Sequence, residues 1–355
     1  MARWLLSRKR WMLAALLLGA AGGLLSWLAV TLVQPYAGFD GQAILNFPRG
    51  SSTNQIAAQL QQAGVIRWRW QLWAARLLRP KTALQAGEYR FDEPASPLQI
   101  YDRLARGDTF YYELTVPEGA NMYEIASLLD QGGIIRGYDF LQAAANPNEI
   151  RDLAPEAPSL EGYLFPATYR LSRQTTAAEL VRRMTDRFRR AWKSLRTSED
   201  VHRIVTLASL VEKEAVRSEE RPLIASVFRN RLDRGMKLDC DPTTIYAALL
   251  EGRYRGSIYR SDLASQNPYN TYQHAGLPPG PIANPGLKSL EAALRPANTN
   301  YLYFVATADG SGAHIFSSTI EAHQKAVAQY RRADKKRKKE SPITSSARSR
   351  APGRD

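Results

Sequence analysis

The sequence predicts an α+β protein in three parts: an N-terminal transmembrane helix, a small α/β subdomain, and a larger mixed domain in which helices dominate. Three observations lead there. Trp11 to Val33 carries no charge over 23 residues. A strand–turn–helix pattern occurs twice, starting at Phe47 and again at Val116. From Leu180 onward, long amphipathic periods give way to loop-rich segments and a single hairpin signal.

The apolar run fixes the first element. At 1.5 Å per residue it is long enough for a hydrocarbon core of roughly 30 Å. Arg8-Lys9-Arg10 precedes it and Gln34-Pro35-Tyr36 follows. The positive-inside tendency then puts residues 1–10 in the cytoplasm and the rest outside. A cleavable leader normally has an apolar region of only ~7–15 residues followed by a small-x-small site. Here the small residues Gly19–Gly23 fall in mid-run. An uncleaved single-pass anchor over 11–33 is the expectation.

Charge excludes one class of function. The net charge is +14, but residues 1–10 hold +4 and residues 331–355 hold +7, which leaves +3 between them. A nucleic-acid-binding domain concentrates positive charge on its folded body, so no nucleic-acid partner is expected. Cys240 is the single cysteine, and the four histidines (His202, His274, His314, His323) show no metal-ligand spacing. Metal-based and histidine-based chemistry are therefore not expected, nor is any cofactor.

The repeat comes next. Phe47-Pro48-Arg49-Gly50 precedes Ile56-Ala57, Leu60 and Gly64-Val65-Ile66; sixty-nine residues later Val116-Pro117-Glu118-Gly119 precedes Ile125-Ala126, Leu129 and Gly133-Ile134-Ile135. Each copy reads as strand, turn, amphipathic helix and glycine cap. Gln85–Phe91 reads as a strand, and Ser96-Pro97 opens a short helix through Leu104. Residues 67–79 mix arginine with tryptophan and leucine, a composition suited to a membrane surface or to stacking on sugars. The i, i+3, i+7 spacing of Trp70, Trp73 and Leu77 instead predicts core burial.

Helices are predicted over Leu180–Trp192, Val201–Val216 and Leu223–Leu232, and a hairpin from Tyr301–Ala306 and His314–Phe316 around Asp309-Gly310. The tail, 331–355, is basic and poor in apolar residues, so disorder is expected. The implied boundaries are 1–10, 11–33, 34–110, 111–330 and 331–355.

Chemistry centres on Glu212-Lys213-Glu214. Two residues apart on a helix, the glutamates point to nearly opposite sides and do not form a close pair. Glu214 has Leu210, Val211 and Leu207 on its side, whereas Glu212 has Ala208, Ser209 and Val205. A carboxyl beside large apolar groups loses solvation and keeps its proton near neutrality. That suits a general acid. A Glu-Lys-Glu run is also commonly a solvated, salt-bridged face. Asp239 or Asp241 offers a second carboxylate, though Asp241-Pro242-Thr243 also reads as a helix start with Asp241 as N-cap.

Ala208–Glu214, Glu220-Arg221, Ala225–Phe228 and Asn230-Arg231-Leu232 together resemble the endolytic murein transglycosylase family. So do Asp241-Pro242-Thr243, Tyr269-Asn270-Thr271-Tyr272, Gly276–Gly280, Pro296-Ala297 before Tyr301–Ala306, and Ser159-Leu160-Glu161-Gly162-Tyr163-Leu164-Phe165-Pro166 upstream. The likeness runs from the apolar segment to about residue 330. It departs at Ala215, where Thr or Ser is frequent, and at Ala167, where Asp commonly follows Phe-Pro. The resemblance implies a LysM-like domain over 34–110 and a catalytic domain over 111–330 with a lysozyme-like glutamate helix. It implies peptidoglycan glycan strands as substrate and peptidoglycan synthases as candidate partners. The MurNAc–GlcNAc β-1,4 bond would be cleaved with 1,6-anhydro-MurNAc formation, terminating glycan elongation. The family's catalytic glutamate falls on Glu214. Glu161, Glu220, Asp241, Tyr269, Asn270, Thr271 and Tyr272 are the candidate substrate-binding residues. The competing expectations are a non-catalytic peptidoglycan-binding scaffold and a two-carboxylate muramidase.

Overall fold

A computed structural model describes residues 2–80 and 82–340. The chain divides into two compact units. The first comprises the described residues up to Glu113 together with Arg170–Gln174; the second comprises Leu114–Tyr169 and the described residues from Thr175 onward.

The first unit begins with α1 (Ala2–Val33). Ala15–Val33 within it is long and apolar enough to cross a membrane, and its side chains are almost entirely exposed. A β–α–α–β arrangement follows: β1 (Ala43–Phe47), α2 (Thr53–Gln62), α3 (Trp70–Leu78) and β2 (Gly87–Phe91), with α4 (Pro97–Arg106) after it. β1 and β2 pair antiparallel, from Ala43 opposite Phe91 to Phe47 opposite Gly87. Both short helices open with capping boxes, Ser52 with Gln55 and Ser96 with Gln99, which satisfy backbone donors at each N-terminus. Phe47, Ile56, Leu60, Leu72, Tyr89, Ile100 and Leu104 form the core.

Helix α3 corrects one expectation. It buries Gln71, Leu72 and Ala75, while Trp73 is 47% and Leu77 80% exposed. The side chain of Gln71 explains the rotation. Its Oε1 accepts the backbone N–H groups of Arg67 and Trp68, and its Nε2 donates to the Thr31 carbonyl of α1. The polar residue is spent inside, and part of the aromatic stripe faces out.

Strand β3 (Tyr112–Val116) pairs with β4 (Ala167–Leu171). In the second unit come α5 (Met122–Gly132), α6 (Gly137–Ala144), α7 (Ala177–Ser194), α8 (Val201–Glu214), α9 (Arg221–Asp233), α10 (Asp241–Leu250), α11 (Arg260–Leu263) and α12 (Leu287–Leu294). The hairpin of β5 (Tyr303–Ala306) and β6 (His314–Ser317) leads into α13 (Ile320–Glu340). The repeat has a conformational basis: Gly50 and Gly119, three residues into each copy, both take positive φ, +86° and +76°, which a side chain would strain.

Two boundaries differ from expectation. α13 continues through residues 331–340, because Arg, Lys, Ala and Glu are strong helix formers. Residues 341–355 lie outside the described part. Asp241 is the first residue of α10, and Cys240 occupies the N-cap without a side-chain cap.

Candidate active site

α8 is the central helix of the second unit, packed by α9, α10 and α12. Asp200 caps its start by accepting the Arg203 N–H at 2.6 Å. From Ile204 to Val211 every residue is buried. Even Ser209 is consumed inside, accepting the Ile282 N–H and donating to the Thr206 carbonyl. The helix is thus gripped on all sides and stops at Glu214, with Ala215 already extended. That end position matters. The negative end of a helix dipole disfavours a carboxylate in the last turn.

Glu214 lines a cleft of about 620 Å³. Burial raises the pKa of its carboxyl, and nearby Asp241 pushes the same way, against the opposing Cys240 hydrogen bond and the charge of His314. The Sγ–H of Cys240 donates to Glu214 Oε1 at 3.3 Å. Glu212 is placed differently. Its side chain is only 5% exposed and is ion-paired to Arg221 at 3.1 Å. Its second oxygen accepts the Gly286 N–H at 2.9 Å. Both glutamates are therefore enclosed, and partners distinguish them more than neighbour size does. Glu212 is matched by a guanidinium; Glu214 has a weak thiol donor and an open cleft.

Around Glu214 the cleft is walled by Phe228, Leu238, Tyr272, Tyr303 and Phe304, with Asp239, Asp241, Arg231 and His323 supplying polar groups. Arg231 lies over the Tyr303 ring, 5.1 Å from its centroid, and His323 stacks on the same ring at 5.1 Å. Arg231 is fixed by the Leu302 and Leu238 carbonyls and by Asp239. A second cleft of about 440 Å³ is lined by Tyr123, Tyr246, Tyr254, Lys213 and Pro242. Lys213 and Glu214 are consecutive, as are Asp241 and Pro242, so the two clefts border the same turn of α8 and the same start of α10.

Of the candidate residues, Asp241 and Tyr272 join Glu214 in the first cleft, and the Tyr272 hydroxyl donates to Asp241 Oδ1 at 2.6 Å. The others lie elsewhere. Glu161 is 1% exposed and accepts from the Met122 N–H, the Tyr246 hydroxyl and the Asn284 amide. Burial lifts its pKa to about 7. Glu220 accepts both the backbone N–H of His314, at 3.0 Å, and its Nδ1, at 2.7 Å. Asn270 is fully buried, its amide donating to the Asp262, Leu263 and Ser265 carbonyls. Thr271 is buried against Cys240 and Thr243. Tyr269 packs on Tyr246 at 5.1 Å. Their hydrogen bonds make Asn270 and Thr271 fasteners of the loop that carries Tyr272.

Sequence reasoning passed over Arg231, Tyr303, Phe304, His314 and His323. The available signal was the aromatic strand Tyr301–Phe304 and Asn230-Arg231-Leu232, read as hairpin and family motif but not as site.

A YceG-like family model matches residues 45–329. A Bacillus subtilis (strain 168) protein named endolytic murein transglycosylase is 35% identical over 307 residues, 81% of this chain and 84% of that protein. A Streptococcus pneumoniae (serotype 2, strain D39) protein of the same name is 30% identical over 322 residues; the match covers 81% of this chain and 58% of the longer pneumococcal protein. The crystal structure of a YceG-like protein from Listeria monocytogenes superposes with a TM-score of 0.52 at 32% identity, covering 80% of this chain and 98% of that one. The chain belongs to the YceG-like family.

Proposed function

We propose that this chain is an endolytic peptidoglycan lytic transglycosylase in which Glu214 is the catalytic acid and then the base. The observation that carries the reading is a carboxyl at a helix end, its pKa raised by burial, open to an aromatic-walled cleft. The names of the Bacillus and pneumococcal relatives support the substrate class. Glu214 gives its proton to O4 of the leaving GlcNAc as the C1–O4 bond of MurNAc breaks and its electron pair passes to oxygen. The resulting carboxylate takes the proton of the C6 hydroxyl, whose oxygen bonds to C1 and closes the 1,6-anhydro ring. No water is consumed, and one carboxyl suffices. Two clefts lined by the consecutive residues Lys213-Glu214 and Asp241-Pro242 suit a polymer cut internally, with sugar rings on either side of the scissile bond.

The β–α–α–β subdomain of the first unit is consistent with a LysM-like glycan-binding role. The apolar span of α1 supports an inner-membrane anchor with the second unit in the periplasm. Strand termination and contact with peptidoglycan synthases are the cellular roles that fit such placement. Asp239 and Asp241 in the same cleft favour one second reading, a two-carboxylate muramidase. Mass spectrometry of purified peptidoglycan after incubation separates the readings: anhydro-MurNAc ends support the proposal, and reducing ends support the muramidase. Unchanged strands leave a scaffold.

A further inference from the structure

The anchor helix and α3 meet at an instructive depth. Trp27 of α1 packs on Trp68 at 5.5 Å and on Trp70 at 6.3 Å. Trp27 stands six residues before Val33, so its level is roughly 9 Å inside the end of the helix. The Gln71 amide ties α3 to Thr31 of α1 at 2.9 Å, and Leu32 is buried in the same junction. These contacts hold α3 beside the last two turns of an apolar span instead of beyond it.

From that position α3 presents exposed apolar groups, with the Arg76 guanidinium 5.7 Å from the Trp73 ring centroid. Trp73 is 47%, Leu77 80% and Leu78 60% exposed. Arg67, Arg69, Arg76 and Arg79 flank them. Between Asp40 and Glu88 the chain has six basic residues and no acidic one. Aromatic rings, leucines and arginines are the composition of a helix that rests its apolar face ~5–10 Å into the headgroup boundary. Tryptophan favours that level, and anionic headgroups attract the arginines.

We propose that α3 is an interfacial helix, with Trp73, Leu77 and Leu78 inserted in the outer leaflet of the bilayer that α1 crosses. The inference rests on α1 spanning the membrane. Continuity with the span selects lipid as the occupant: any bilayer enclosing Trp27 also reaches Trp68 and Trp70, and through them the start of α3. The consequence is geometric. A helix end alone leaves its cargo free to swivel, whereas a second contact fixes the first unit's orientation toward the membrane.

The test places an environment-sensitive fluorophore on full-length protein at Leu77→Cys or, separately, at Leu24→Cys. Cys240 is buried, so labelling is selective. Each protein is reconstituted in phosphatidylethanolamine/phosphatidylglycerol vesicles with nitroxide lipids carrying the quencher at shallow or deep positions. The Leu77 label should shift to the blue and lose most of its emission to the shallow quencher, while the Leu24 label responds to the deep one. A Leu24 label quenched at depth beside a Leu77 label that stays water-like overturns the interfacial helix and keeps the anchor. A Leu77 label that is shifted but unquenched shows a second copy covering α3, which also overturns it. A Leu24 label untouched by either quencher removes anchor and inference together, leaving the catalytic reading of Glu214 unaffected.

Discussion

The thiol of Cys240 donates to Oε1 of Glu214 at 3.3 Å, joining the last residue of α8 to the residue just before α10. This bond stabilises the charged form of a carboxyl whose pKa burial raises. Cys240→Ala removes the donor and fills no space, so the pKa of Glu214 should climb further. Activity that needs a protonated acid is lost as pH rises through that value. The alkaline limb of the kcat/KM profile should therefore move to higher pH. A limb that moves to lower pH would show that another group titrates there.

Glu214→Gln and Glu212→Gln should fail in different ways. The amide at 214 cannot deliver a proton, and anhydro ends should fall ~10²–10⁴-fold with folding retained. At 212 the substitution strips Arg221, itself only 9% exposed, of its charged partner. Breaking such a pair costs on the order of 3 kcal/mol, so the melting temperature should drop while turnover per folded molecule changes little. Anhydro product from Glu214→Gln at the wild-type rate would remove the assignment.

Glu161 gives a stability prediction of definite sign. Its pKa rises from 4.5 in the unfolded chain to about 7 when buried. The folded state therefore holds a proton that the unfolded state has released across that interval. Stability from this group is present below about pH 4.5 and declines up to about pH 7, by on the order of 3 kcal/mol. Glu161→Gln should be less stable at low pH, because an amide cannot accept from Asn284, Met122 and Tyr246 together. The difference between wild type and variant should shrink as pH rises from 5 to 7.5. Denaturant unfolding across that range measures it, and a constant difference would show that Glu161 does not titrate there.

Much of this architecture was legible because local signals agreed. The capping serines, the left-handed glycines of the repeat and the hairpin around Asp309-Gly310 each specify their element without reference to distant residues. The enclosure of Glu214 was also readable, since Leu207, Leu210 and Val211 precede it on the same helix. What escaped was long-range. Glu161 bonds to Asn284, and Glu220 to His314. No spacing announces either contact. α3 misled for the opposite reason: its periodicity was real, but Gln71 had a backbone partner on α1 that drew the polar face inward. The same separation hid the return of Arg170–Gln174 to the first unit.

The C-terminal helix yields the last prediction. α13 contributes Ile320, His323, Val327 and Arg331 to the wall of the Glu214 cleft. Composition predicts disorder from residue 331, yet the helix carries on to Glu340 and its Arg331 lines the cleft. Ending the chain after Glu340 should leave cleavage unchanged. Ending it after Tyr330 removes a guanidinium whose planar fork is suited to carboxylate or hydroxyl groups on a bound strand. Losing one charge-assisted contact of about 1.4 kcal/mol should raise KM ~10-fold with kcat nearly constant. Arg331→Ala in the intact chain should reproduce that KM effect, whereas a helix-stability effect would appear in the truncation alone. Steady-state kinetics on purified glycan strands with the three proteins distinguishes these outcomes. Equal KM values across all three would exclude Arg331 from substrate binding.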